Sequence, residues 1–417
     1  MTSFLRCTPV DRSAPVMAGA RGVPGISDAA RRPDVAIVGG GLSGRLLAWR
    51  LALSGVRVAI HERGDAHGRD AAAWVAAAML APLAEAAVAD PLLVALGSAS
   101  LARWPQWLSD LSTPVFFQRH GTLVLWHAAD HAEARLFQRR VMENAPPSLR
   151  EGRVTTLDAA GLAAAEPGLA GHFTQGWLLA DEAQLDNRQL LAALDIALAD
   201  LQVPIHAGTA ISEANWPDAP VTVDCRGLGA KASQPGLRGI RGEVVRVFAP
   251  EVQLHRPIRL LHPRYPIYIA PKEQGVYVIG ATEVESEDMS PMSVRSALEL
   301  LSAAYSVHAG FGEARIVELN TQCRPTLPDH RPRIGVALSG GSESRSSTQR
   351  SLASHRVSIN GLYRHGFMIG PEVVEEATQL IHALLDDRFD AWRSAAAWPD
   401  LLSIAPNRAS VSSVSRV

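Results

Sequence analysis

The stretch that most constrains this chain reads Asp34-Val-Ala-Ile-Val-Gly-Gly-Gly-Leu-Ser-Gly44. Val35 to Val38 are four consecutive apolar residues, the pattern of a short strand buried on both faces. Glycines follow at once. Apolar residues then recur with helical spacing at Leu46, Leu47, Trp49 and Leu53, and Gly55 marks a helix stop. Val56 to Ile60 predicts a second strand that runs into Glu62. Strand, glycine turn, helix and strand make one βαβ unit, which commits this part of the chain to an α/β layer. Gly39-x-Gly41-x-x-Gly44 therefore has the context that a dinucleotide fingerprint needs. Gly39 permits the tight turn, Gly41 lets the backbone approach a pyrophosphate, and Gly44 lets helix and strand pack closely. The first helical residues, Leu42 and Ser43, offer free amides to phosphate oxygens. Glu62 lies 18 residues beyond Gly44, where a carboxylate accepts from ribose hydroxyls, with Arg63 beside it. The fingerprint alone does not choose between NAD and FAD.

The chain has 417 residues, enough for two interlocked domains. Apolar residues make up 47% and charged residues 20%, an ordinary globular balance. A net charge of −2, with no long basic run, argues against a nucleic-acid-binding face. The three cysteines, Cys7, Cys225 and Cys323, form neither a disulfide framework nor a metal-ligand spacing. Reduced thiols in a cytoplasmic protein are the expectation. The segment Ala71 to Ala89 is nearly all apolar, but Pro82 and Glu85 interrupt it. It reads as a buried loop and helix, with no membrane span. Residues 1–33 scatter arginines among Pro, Gly and Ala and lack the apolar run of a secretory signal. They read as a disordered tail, and Met17 offers a second start.

Further along, helices are expected over 92–111, 185–201 and 293–305. Strands are expected within 115–126 and 221–225. Short alternating runs at 244–248, 267–270 and 276–279 predict an antiparallel sheet. Residues 339–358, rich in Ser, Gly and Arg, read as a flexible insertion, and Pro371 reads as the start of a helix to Leu385. The two end segments are expected to meet in one nucleotide-binding layer.

Several landmarks occur in order. After the fingerprint come Ala77-Ala-Met-Leu-Ala-Pro82, Asp186-Asn-Arg-Gln-Leu-Leu191 and Val223-Asp-Cys-Arg-Gly-Leu-Gly229. Tyr268-Ile-Ala-Pro-Lys272 follows with Ile279-Gly-Ala-Thr-Glu283, then Arg324-Pro-Thr-Leu-Pro-Asp329 and Gly361-Leu-Tyr-Arg-His-Gly366. In this order the chain resembles the D-amino-acid oxidase family, and within it the glycine oxidases of thiamine biosynthesis. The resemblance runs from Asp34 to about Leu385. It implies an α/β fold with a Rossmann-type, GR2-like FAD-binding domain and an antiparallel-sheet substrate domain. The FAD-binding part would comprise 34–110, 150–235 and 320–390; the substrate part would comprise 111–149 and 236–319; residues 391–417 would be a C-terminal tail.

The resemblance also assigns a site. Arg324 would bind the substrate carboxylate, a pairing that suits a planar guanidinium fork. Tyr268 would face the substrate over the flavin, and Arg364 would approach the substrate from the last glycine-bracketed turn. Ala77, Ala78 and Met79 would run under the flavin, with Ala78 standing where the family usually has Gly. Gly227, Tyr363, His365, Gly366, Phe367 and Met368 complete the expected FAD contacts. His365 replaces a more usual Asn and is given no catalytic role. Cys323 lies near the region where sarcosine oxidases attach flavin covalently, but the register does not establish that link here. The implied reaction is oxidative deamination of a small amino acid, a hydride leaving Cα for the flavin and the electrons passing to oxygen as peroxide. The implied partners are that amino acid and oxygen, in a homo-oligomer. Three readings compete: a dehydrogenase passing electrons to a quinone, a non-catalytic flavin-binding subunit, and an NAD-dependent dehydrogenase.

Overall fold

The computed structural model describes residues 32–338 and 355–404. Val35–Val38 forms β1, fully buried, and it pairs in parallel with β2 (Val58–His61) and β10 (Val221–Asp224). The sheet grows outward to β9 (Ile205–His206) beyond β2, and to β17 (His355–Asn360) beyond β10. β16 (Arg333–Ala337) and β18 (Leu402–Ile404) complete seven strands, β16 antiparallel to β17. Helix α1 (Leu42–Leu53) is apolar around most of its circumference and buried from Leu42 to Leu51 apart from the half-buried Ser43 and Arg50, as a helix enclosed by other layers must be. It packs on the C-terminal helix Gly366–Leu385 and on the helix Asn187–Asp200. The segments 35–53 and 355–385 thus meet in one sheet and the helices on it.

The second sheet has eight strands. In spatial order they are β15 (Arg315–Thr326), β11 (Arg238–Phe248), β14 (Val276–Gly280), β13 (Ile267–Pro271), β12 (Ile258–Leu261), β5 (Thr122–Trp126), β7 (Gln175–Leu179) and β6 (Val154–Asp158). The helix Val294–Val307 packs its apolar face on this sheet. A small third sheet joins β3 (Met79–Leu80), β8 (Ala183–Leu185) and β4 (Phe117–Gln118).

Several expectations are corrected. The eight-stranded sheet is antiparallel except that β12 and β5 pair in parallel. Residues 154–158 and 175–179, expected in the nucleotide-binding part, lie in this second sheet, where 175–179 pair with β5 and 154–158 pair with 175–179; Gly176 lets β7 lie close to Leu125. The C-terminal helix starts at Gly366, not Pro371. Pro371 is tolerated inside it because the carbonyl it cannot bond, that of Phe367, accepts from Trp104 Nε1 at 3.0 Å. Residues 355–358, read as the end of a flexible insertion, belong to β17, while 339–354 lie outside the described residues, as does nearly all of the expected N-terminal tail. Part of the expected C-terminal tail is ordered as well: β18 pairs with β16, and Leu401 is fully buried. Ala71–Ala89 breaks into α2 (Ala72–Val75), β3 and α3 (Pro82–Glu85). Among the described residues no helix is long and apolar enough to cross a membrane.

Candidate active site

A cavity of about 1560 Å³ extends from the glycine turn to the second sheet. Of the residues expected at the site, only Gly44 does not line it. Gly44 acts from behind: a methyl there would overlap the Gly39 carbonyl, and so it sets the close approach of α1 to β1.

The turn itself is backbone chemistry. Gly39 has φ +109°, a conformation that side chains resist, and a methyl there would overlap the Cys225 carbonyl. Around Gly41, by contrast, only Ala71 Cβ comes within 4 Å of where a Cβ would lie, so that backbone faces open space. No side chain caps α1, so its first amides are free for an anion. Glu62 accepts from Gly40 N at 2.6 Å and Gly64 N at 2.7 Å. Each carboxylate oxygen keeps a second lone pair for a hydroxyl donor. Arg45, fully buried, pins the next loop: Nε donates to Gly40 O and Nη2 to Ala66 O, while Nη1 pairs with Asp195.

The strap 71–79 lines the cavity and is held by its neighbours. Asn187 Nδ2 donates to Ala73 O at 2.8 Å and to Trp74 O at 2.7 Å. The Arg188 guanidinium lies over the Trp74 ring. Lys272 Nζ, buried, donates to Ala77 O, Leu185 O and Gln184 Oε1. Burial pushes the Lys272 ammonium down to about 7, yet three acceptors suit its charged form, since a neutral amine has two protons to give. Ala78 has φ +53°, the left-handed region. This explains why glycine suits the position: an alanine there costs about 1 kcal/mol.

At the far end the second sheet supplies Arg324 from β15 and Tyr268 from β13. Two glycines clear the surface they lie on. A methyl at Gly242 of β11 would overlap the Arg324 guanidinium, and one at Gly280 of β14 would sit 2.6 Å from the Tyr268 hydroxyl. Arg324 Nη1 donates to the carbonyls of Thr282 at 3.2 Å and Arg241 at 3.4 Å. Burial raises the Tyr268 hydroxyl, though Arg324 and Arg364 pull the other way, so it stays a neutral donor. Cys323 points to the opposite face of β15, against Gly239, with Sγ toward Ser286 O. Burial raises its thiol as well.

The final turn is built around Glu85, a residue that motif reasoning did not single out for the site. Glu85 Oε2 accepts from Arg364 Nε and Nη2 at 3.0 and 2.7 Å and from His365 Nε2 at 2.9 Å, while Oε1 accepts from Arg259 Nη1 at 2.8 Å. Burial alone would raise this carboxyl, but Arg364, Arg259 and His365 outweigh it and hold Glu85 well below the usual range. A carboxylate only accepts, so His365 carries a proton on Nε2; burial lowers the pKa of the ring while Glu85 raises it. Arg364 also meets Glu283 at 3.0 Å. The residue expected to approach a substrate is therefore already twice paired. Tyr363 has φ +50° and donates its amide to Pro325 O at 3.0 Å, tying this turn to the strand that carries Arg324. Sequence carried one signal for Glu85, a lone acid inside an apolar run, and none for Arg259.

The donor set fits FAD: a glycine turn and free helix amides for a pyrophosphate, a carboxylate beside them, a strap of small residues, and Gly366, where only Leu42 approaches within 4 Å of a Cβ position.

A family model described as FAD dependent oxidoreductase matches residues 34–380. A Rhizobium etli protein named as the thiamine biosynthesis oxidoreductase ThiO is 37% identical over 345 residues, which span 83% of this chain and 95% of that protein. The bifunctional ThiO/ThiG protein of Synechocystis is 26% identical over 85% of this chain, and the chain matches 54% of its length. The crystal structure of glycine oxidase from Geobacillus kaustophilus superposes with a TM-score of 0.69 at 25% identity, covering 86% of this chain and 95% of that one. The fingerprint, the strap and the Arg324 end thus occur in a chain that belongs to the FAD dependent oxidoreductase family.

Proposed function

We propose that this protein oxidises glycine, and other small amino acids with one carboxylate, to the imine with FAD as cofactor and oxygen as acceptor. The observation that carries this reading is Arg324, a guanidinium facing the cavity that donates to two backbone carbonyls and forms no ion pair among the described residues. A substrate carboxylate completes its fork. Tyr268, neutral, donates to the same carboxylate and walls off water. Gly39, Gly41, Leu42 and Ser43 would hold the pyrophosphate, with Gly44 setting the approach of α1 behind them, while Glu62 and Arg63 would take the adenosine side. Ala77, Ala78, Met79, Gly227 and the turn Tyr363 to Met368 line the cavity and would hold the flavin ring.

The bound flavin supplies a hydride acceptor for the amino acid Cα. The chain's own part is orientation: Arg324 and Tyr268 fix the carboxylate and thereby aim Cα. Water hydrolyses the released imine to an oxo acid and ammonia, and oxygen takes the two electrons to give peroxide. The names of the thiamine-biosynthesis relatives support a further step, in which the glycine imine feeds thiazole formation. The two described cysteines are free thiols, which suits the cytoplasm, and we place a homo-oligomer there.

The test is product analysis with glycine in air. Equimolar peroxide and ammonia, with glyoxylate, are expected. Turnover only with an added dye or quinone, without peroxide, would make the protein a dehydrogenase instead.

A further inference from the structure

At the Tyr268 end of the cavity Arg259, Arg324 and Arg364 cluster with two carboxylates, Glu85 and Glu283, while Arg264 lies over the Tyr265 ring and Arg295 pairs with Glu299. Within this cluster, three guanidiniums against two carboxylates leave one positive charge in excess. The hydrogen bonds place it on Arg324, because Arg259 sits on Glu85 while Arg364 sits on both Glu85 and Glu283. The two acids differ in setting. Glu85 is beneath the site at 16% side-chain exposure, whereas Glu283 reaches Arg364 from the open side at 52%. Arg364, the Tyr363 hydroxyl and Arg324 hold Glu283 ionised against the raising effect of burial.

We propose that Glu283 is a specificity-determining residue: by occupying Arg364 it confines the site to amines bearing one carboxylate. Resting on the amine-oxidising reading above, this inference names the substrate class that the site accepts. An amine with two carboxylates, such as iminodiacetate, can place the first on Arg324. Its second then finds Arg364 already taken and a like charge beside it, a repulsive element of the kind that makes sites selective. Removing the Glu283 charge leaves Arg364 held by Glu85 alone, and the cluster then carries two positive charges in excess.

The test uses the FAD-loaded full chain. Acetate and malonate, which cannot be oxidised as amines, are titrated into wild type and Glu283→Gln while the flavin visible spectrum is followed. The ratio of malonate to acetate affinity should rise about tenfold in the variant, and the kcat/KM ratio of iminodiacetate to sarcosine should rise with it. Glu283→Met repeats the test with different packing, should one variant fail to fold. A ratio unchanged in both variants overturns the inference. So does a parallel loss of both ligands, since that would mean Glu283 only props Arg364. The functional reading fails separately, if wild type turns over neither glycine nor sarcosine, and the malonate-to-acetate ratio still decides the role of Glu283.

Discussion

At the glycine turn the surface offered to a ligand is backbone, presented by Gly39, Gly41, Leu42 and Ser43 with Glu62 beside them. At the Arg324 end it is guanidinium and carboxylate, gathered from α3, β12, β13, β15 and the turn after β17. The first end recognises by shape and free amides, and its failures are steric. The second recognises by charge, and its failures come from leaving a buried ion without its partner. The same cavity thus contains one half that local sequence dictates and one half that only the assembled sheets create.

The difference can be broken from either side. The largest effect is expected at the charged end: Arg324→Met should lower kcat/KM for glycine by about a thousandfold while FAD content stays normal, as removing one partner of a desolvated charge pair does. FAD loss in that variant would show that Arg324 is structural. Gly242→Ala strikes the same residue indirectly. Its methyl displaces the Arg324 guanidinium, and a fall of about a hundredfold in kcat/KM is expected, again with FAD retained, since misplacement by about an ångström costs that much.

At the backbone end, Gly44→Ala should instead release FAD and lower stability by about 3 kcal/mol, because the overlap is with the Gly39 carbonyl, which cannot turn away. Equilibrium denaturation and the flavin-to-protein absorbance ratio read both effects. Ala78→Gly is the smallest change. It relieves the left-handed alanine and should raise stability by about 1 kcal/mol or less.

A pH test separates the supporting acids. Glu182 is buried next to Ala84 N, which it accepts at 2.8 Å, and burial pushes its carboxyl up to about 7, with Glu85 adding to the rise and Arg259 opposing it. Its folded pKa is above its unfolded one, so its contribution is fully present below about 4.5 and is lost as pH rises through about 7. Wild type should lose on the order of 3 kcal/mol across that window from this group, and Glu182→Gln should not. Identical pH profiles would mean that Glu182 is already solvated.

The sequence made the backbone end legible because the fingerprint, α1 and Glu62 are neighbours along the chain and each residue type has one physical use there. Arg324 and Tyr268 came through resemblance rather than pattern, and their glycine supports, Gly242 and Gly280, are visible only when strands pair. Glu85 and Arg259 lie 174 residues apart, and no period or spacing links them. The twice-paired state of Arg364 was likewise hidden, since sequence names a charge but not its neighbours. The helix starting at Gly366 was misplaced for a local reason: Pro371 signals a first turn, and only the tertiary bond from Trp104 to Phe367 shows why it sits further in.

The most direct test of the whole account is anaerobic mixing of the FAD-loaded protein with glycine, in wild type and Arg324→Met side by side, following the visible flavin band. The account predicts rapid bleaching of wild type, recovery of colour on admitting air with release of peroxide, and at most very slow bleaching of the variant at the same glycine concentration. Equal bleaching of the two proteins, or none in wild type with glycine, sarcosine, D-alanine or D-proline, would contradict it.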